Sequence, residues 1–166
     1  VINGHTVGFQ RESSNQFLFK PVQDRGDRES MMANILVVDD QLCVRKLLAE
    51  ELMLQGHKVS GIGDAESARR YLQSFRPDLV LLDLYIDGPQ GFRLLEDIKC
   101  QHPDLPVIIV TAYDSFADDP RVSRANAYVI KSIHLDTLKE KIAQALRRQE
   151  SYEEKWGQDG VIPNLA

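Results

Sequence analysis

From about residue 34 to residue 149, short apolar runs alternate with longer stretches in which apolar residues recur every three or four positions. That alternation predicts βαβ units and a parallel sheet. Ile35-Leu36-Val37-Val38 predicts a first strand over about 34–39. A helix over about 41–55 follows, with Val44, Leu47, Leu48, Glu51 and Leu52 on its inner face and Gly56 as its stop. A second strand is expected at about 58–62, then a helix capped by Asp64 and running to about 75, with Ala68, Tyr71, Leu72 and Phe75 inward. Leu79-Val80-Leu81-Leu82 is continuously apolar, as a central strand buried on both faces would be. A third helix is expected over about 90–101, with Phe92, Leu95 and Ile98 inward, and Val107-Ile108-Ile109-Val110 is the fourth strand. A fifth strand covers about 127–131, and a last helix about 134–149, with Leu135, Leu138, Ile142, Ala145 and Leu146 on one face.

The stretch between the fourth and fifth strands is the least regular. Pro120 disrupts a helix interior but suits a first helical position behind an Asp119 cap, so a short helix over about 119–125 is expected. Residues 1–32 carry no sustained period and read as a disordered extension, with one apolar patch at Phe17-Leu18-Phe19 that could dock. Met31-Met32 suggests a natural start. The chain then divides into the extension 1–32, a domain over 33–149 and a tail over 150–166.

Composition adds limits. The chain has 166 residues, 43% hydrophobic and 27% charged, enough for one globular domain with appended sequence. A net charge of -5 argues against direct nucleic-acid binding. No apolar run is long enough for a membrane span and no signal peptide is evident, so a cytoplasmic location is expected. Cys43 and Cys100 show no metal or redox spacing, and His5, His57, His102 and His134 share no ligand spacing and read as surface or loop residues.

The chemistry lies where the apolar runs stop. Asp39 and Asp40 end the first strand, Asp83 follows the third, Thr111 ends the fourth and Lys131 the fifth. Strand C-termini of a parallel sheet gather along one edge, where ligands bind. Three carboxylates, a hydroxyl and an ammonium therefore converge. Left alone, the carboxylates would repel one another and bind protons more tightly. A hard cation such as Mg2+, which prefers oxygen ligands, resolves the conflict. One carboxylate can then act as a nucleophile towards phosphorus, with positioned cations and donors stabilising the transferring group.

Over about residues 33–148 these landmarks, together with Ala112 and Tyr128, resemble the receiver domain of two-component response regulators. The resemblance implies a flavodoxin-like, doubly wound α/β fold whose five-stranded parallel sheet has the order 2-1-3-4-5. It implies that Asp83 accepts the phosphoryl group, that Asp39 and Asp40 hold Mg2+ with Asp83 and the Tyr85 carbonyl, and that Lys131 holds the phosphate. Thr111 and Tyr128 would be the switch pair. The implied partners are a sensor histidine kinase or phosphotransfer protein and a downstream protein target, with a homodimer possible. Such a domain catalyses only its own phosphoryl transfer and dephosphorylation.

The sequence departs from that family at several points. Ser132 follows Lys131 where a proline with a cis bond is usual, so either this bond is cis or Lys131 is placed differently. Asp87 stands where the loop after Asp83 usually has proline, and adds a carboxylate near the site. Thr111 to Lys131 is about two residues short. Tyr85 and Tyr113 occupy positions that flank the path of attacking water, which predicts a long-lived phosphoryl state. Two other functions compete: a Mg2+-dependent phosphohydrolase with an aspartyl nucleophile, and a degenerate receiver that binds a partner without phosphorylation. The hydrolase would be expected to carry Asp-x-Asp on its first strand, and this strand ends Asp39-Asp40-Gln41.

Overall fold

A computed structural model describes residues 17–19 and 32–156. Its strands are β1 (Phe17–Phe19), β2 (Asn34–Val38), β3 (Lys58–Ile62), β4 (Leu79–Leu82), β5 (Val107–Thr111) and β6 (Ala127–Ile130). Its helices are α1 (Leu42–Leu54), α2 (Ala65–Ser74), α3 (Gln90–Gln101) and α4 (Asp136–Trp156), with a single 3-10 turn at Pro120–Val122. The sheet order is β1-β3-β2-β4-β5-β6. Strands β2 to β6 pair in parallel, which is the expected 2-1-3-4-5 order.

Side chains alternate across the sheet and build a core on each face. One contains Leu36, Val38, Leu82 and Ile109 against α2 and α3. The other contains Ile35, Val37, Leu81 and Ile108 against α1 and α4. Every side chain of β4 is buried, as a central strand covered on both faces requires. Asp64 caps α2 by accepting from the Ser67 N–H at 2.7 Å. Gly56, at φ 91°, stops α1.

Several expectations need correction. The buried face of α1 is Arg45, Leu48, Ala49 and Leu52, a different phase from the one expected. Leu47 is exposed, and Glu51 is half-buried because it pairs with Lys139 of α4 at 2.7 Å. Phe75 is 62% exposed, since α2 has already ended and the chain there is extended. His57 is buried, with its Nδ1 accepting from the Ala33 N–H at 3.4 Å. Helix α4 continues past 149 into the expected tail, because no glycine or proline occurs before Gly157.

Within the expected extension, Phe17–Phe19 pair antiparallel with β3. An open strand edge offers unpaired N–H and C=O groups, and an aromatic-rich segment suits it. The rest of that extension, apart from Met32, and the tail beyond Trp156 lie outside the described residues. The fourth element is a 3-10 turn, shorter than the helix expected over about 119–125, but its Asp119 cap and Pro120 start are as expected, with the Asp119 side chain accepting from the Arg121 N–H at 2.9 Å. Arg121 holds the exposed Asp119 carboxyl down to about 2. Among the described residues no helix is long and apolar enough to cross a membrane.

Candidate functional site

Each expected site residue is fixed first through its backbone. The Asp39 N–H donates to the Ile62 carbonyl at 3.1 Å, and the Asp83 N–H to the Val38 carbonyl at 2.9 Å. The Lys131 N–H donates to the Thr111 carbonyl at 2.7 Å. The three ladders bring the ends of β2, β4, β5 and β6 to one edge. Beyond Asp83 the loop is pinned by alternation: Leu84 and Ile86 are fully buried, while Tyr85 and Asp87 point outwards. Burying two such side chains contributes about 1.5–3 kcal/mol each, enough to hold a loop that makes no ladder. Gly91 at the start of α3 completes the support. A Cβ there would meet the Asp83 carbonyl oxygen at 2.4 Å and Leu84 Cα at 2.5 Å, so only glycine allows this approach.

The side chains then converge. Lys131 Nζ donates to Asp83 Oδ2 at 2.6 Å and lies 2.7 Å from Asp39 Oδ2. The Tyr85 N–H donates to Asp83 Oδ1 at 3.1 Å, and the Gln41 N–H to Asp39 Oδ1 at 2.9 Å. Asp39 and Asp83 are buried and Asp40 is exposed at the mouth. Burial raises the Asp39 carboxyl above its ordinary value by more than Lys131 and the Gln41 N–H lower it. Burial acts to lower Lys131, but its bonds to Asp39 and Asp83 outweigh this and hold the ammonium above its ordinary value. Thr111 Oγ1 is fully buried, with no hydrogen-bond partner among the described residues.

Carboxylate oxygens of Asp39, Asp40 and Asp83 all lie within 4.8 Å of one another. Ligands of an octahedral Mg2+ at about 2.0–2.1 Å stand about 2.9 Å apart when adjacent and about 4.2 Å when opposite, so the three carboxylates would close further on binding one ion. The donor set, all oxygen and all anionic, fits a hard divalent cation.

Lys131 reaches the site although Ser132 follows it, and the bond between them is trans, as are all peptide bonds among the described residues. Asp87 is not one of the gathered carboxylates; it is exposed, with φ 48°. Tyr128 is half-buried, and its hydroxyl donates to the Tyr113 carbonyl. The Tyr85 and Tyr113 rings lie with centroids 4.7 Å apart, and Phe116 extends the aromatic cluster at 5.8 Å from Tyr85.

Sequence reasoning missed Arg45. This guanidinium is fully buried beneath the acidic pair and donates to the Asp39 carbonyl. Burial lowers its pKa, and the charges of Asp39, Asp40 and Asp64 act to restore it. The available signal was its place three residues before Leu48 and seven before Leu52, on the helix's true inner face.

Comparison with known proteins agrees with this arrangement. Residues 35–143 match the family model described as the response regulator receiver domain. The chain is 30% identical over 120 residues to the two-component response regulator PhoP of Pseudomonas aeruginosa, covering 71% of this chain and 53% of that protein. It is 33% identical over 119 residues to the virulence transcriptional regulatory protein PhoP of Salmonella typhimurium, covering 70% and 53%. It thus spans about half the length of these curated relatives. Among solved structures it is similar to the response regulator TrrA of Thermotoga maritima in complex with Mg(2+)-BeF, with TM-score 0.67 and 36% identity over 69% of this chain and 100% of that one. TrrA in complex with the histidine kinase ThkA gives TM-score 0.65 at 36% identity, over 69% and 99%. With two thirds of its length matched by that model and every strand of the parallel sheet in the corresponding order, the chain belongs to the response regulator receiver domain family.

Proposed function

We propose that this chain is a phospho-accepting receiver of two-component signalling. It takes a phosphoryl group from a sensor histidine kinase or phosphotransfer protein onto Asp83, and the change in conformation that follows controls a downstream protein. The observation that carries this is Lys131 Nζ held between Asp39 and Asp83 beside a buried Thr111 hydroxyl with an unused hydrogen bond. Buried polar groups left without a partner are uncommon and call for an explanation, which a phosphoryl ligand would give.

An Asp83 carboxylate oxygen forms the new P–O bond. The P–N bond of the donor phosphohistidine breaks, and its electron pair leaves on the imidazole. Lys131 follows the charge from the carboxylate onto the phosphoryl oxygens, and Thr111 supplies a donor where none is now spent. The Tyr85 N–H keeps the other carboxylate oxygen oriented. Mg2+, held by Asp39, Asp40 and Asp83 with the Tyr85 carbonyl, supplies charge neutralisation and orientation when bound. Once Thr111 turns to the phosphoryl group, Tyr128 carries the change outward, since its hydroxyl is tied to Tyr113 two residues beyond Thr111.

A kinase needs a surface beside Asp83. An apolar groove of about 350 Å³ runs between α1 and the segment after β6, lined by Val44, Leu47, Ile130, Ile133 and Leu138 and ending at Lys131. Ile133 is 85% exposed there. TrrA, a relative of the same fold, has been solved with its kinase. Two exposed free cysteines suit the reducing cytoplasm.

The test is incubation with Mg2+ and acetyl phosphate, followed by intact mass. One stable phosphoryl adduct, lost in Asp83→Asn, is the expected result. Continuous turnover of phosphate esters would instead mark a phosphohydrolase, and neither adduct nor turnover a phosphorylation-independent binding module.

A further inference from the structure

The short fourth element leaves a cleft of about 440 Å³ between α3 and the 3-10 turn, away from the acidic site. Pro89 and Pro120 are its exposed apolar lining, and Phe92 and Leu95 lie buried beneath. Arg93, Arg121 and Arg124 surround it, with Glu96 as the one acidic lining residue. Such a cluster stands out in a chain of 25 acidic and 20 basic residues.

The three arginines are not equivalent. Arg121 is spent internally: it pairs with Asp119 at 2.6 Å and its guanidinium carbon lies 4.0 Å from the Phe92 ring centroid. It is therefore a fixed wall, stacked on Phe92. Arg124 is planted by donating Nη2 to the Lys99 carbonyl at 2.8 Å, yet makes no ion pair among the described residues. Arg93, one turn along α3, is exposed and likewise has no carboxylate partner among the described residues. Two guanidinium groups, one of them pre-positioned, thus flank an apolar lining with charge to spare.

We propose that this cleft docks an acidic segment of a partner protein, with carboxylates on Arg93 and Arg124 and an apolar side chain against the exposed Pro89 and Pro120. Guanidinium forks suit carboxylates bidentately, and a planted side chain has less freedom to lose on binding. Glu96 selects against a dense polyanion such as nucleic acid, whose charges cannot be spaced around it, but tolerates a peptide whose carboxylates stand apart. The proposal is independent of phosphoryl transfer at Asp83, so either can fail without the other.

The experiment uses the full chain and a fluorescein-labelled synthetic peptide of glutamates flanking a Leu-Phe pair, read by fluorescence anisotropy. The expected result is saturable binding that weakens about tenfold or more in the double variant Arg93→Glu, Arg124→Glu. A peptide with glutamine in place of glutamate should not bind. The double variant should still take phosphate from acetyl phosphate, which shows that its fold is intact. Equal binding by the double variant, equal binding of the glutamine peptide, or no binding at all would overturn the proposal. So would self-association of the unliganded chain that the double variant abolishes, because the occupant would then be a second copy.

Discussion

Lys131 shows how one residue serves both fold and chemistry. Its ammonium sits between two buried carboxylates that would otherwise repel each other, and so part-neutralises the site. Tyr85 and Tyr113 are expected to do the complementary work of keeping water from the acyl phosphate. Their ring centroids lie 4.7 Å apart. Replacing either with alanine should shorten the lifetime of phosphorylated Asp83 about tenfold, equivalent to about 1.4 kcal/mol of barrier. The loss of the mass adduct with time measures this, and an unchanged lifetime in both variants would sink the idea. Lys99 is a different case, a buried ammonium bonded to neutral acceptors: the Leu105 carbonyl at 2.6 Å and Asn126 Oδ1 at 3.0 Å. Burial lowers its pKa, Arg124 lowers it further and Asp104 acts to raise it. Because the folded chain releases this proton before the unfolded one, the Lys99 contribution to stability grows as pH rises from the lowered value towards 10.5. Lys99→Met should cost about 1–3 kcal/mol through the acceptors left bare. Urea denaturation should show its deficit against the native chain widening with pH, and a constant deficit would contradict the assignment.

At the scale of elements, the limits of the sequence reading have physical causes. Most of the parallel strands were legible as closed apolar runs; β3, Lys58-Val59-Ser60-Gly61-Ile62, is not one and was legible only by its place between two helices. The phase of α1 was not, because Leu47 and Leu54 are exposed while Arg45 is buried, so hydrophobicity points to the wrong stripe. Phe75 was misplaced for a related reason: it fits the stripe of α2 but falls at the residue where the helix ends. The site residues were legible because strand ends converge by topology alone. The placement of Asp87 was not, because the turn at Asp87 and Gly88, both with positive φ, aims it away. Gly91 ties an element to the chemistry. Gly91→Ala should push α3 from the loop bearing Asp83, costing about 1–3 kcal/mol by overpacking. Denaturant unfolding reads the stability, and acetyl phosphate labelling should slow in parallel. Wild-type stability in this variant would mean that the loop yields without cost.

Across the molecule, two apolar cores clamp the sheet while one edge gathers negative charge. On the proposed function, Mg2+ at that edge would offset the gathered negative charge. At a Mg2+ concentration about a hundred times its dissociation constant, binding adds about 2.7 kcal/mol of stability. Thermal unfolding should shift upward by several degrees with Mg2+ and return on chelation. Asp40→Ala should abolish the shift, since Asp40 is the exposed carboxylate of the three; an undiminished shift would place the ion elsewhere.

The antiparallel strand Phe17–Phe19 has a consequence for what the sheet can join. A parallel sheet normally ends in two open rows of backbone donors and acceptors, each a template for another chain's strand. Here the chain covers the β3 row itself, and β6 remains as the other terminal strand. A protein that recognises this domain by extending its sheet has the β6 row, or must first evict a strand of three residues. So short a strand holds its place with few hydrogen bonds, which makes that row a replaceable seal rather than a permanent one.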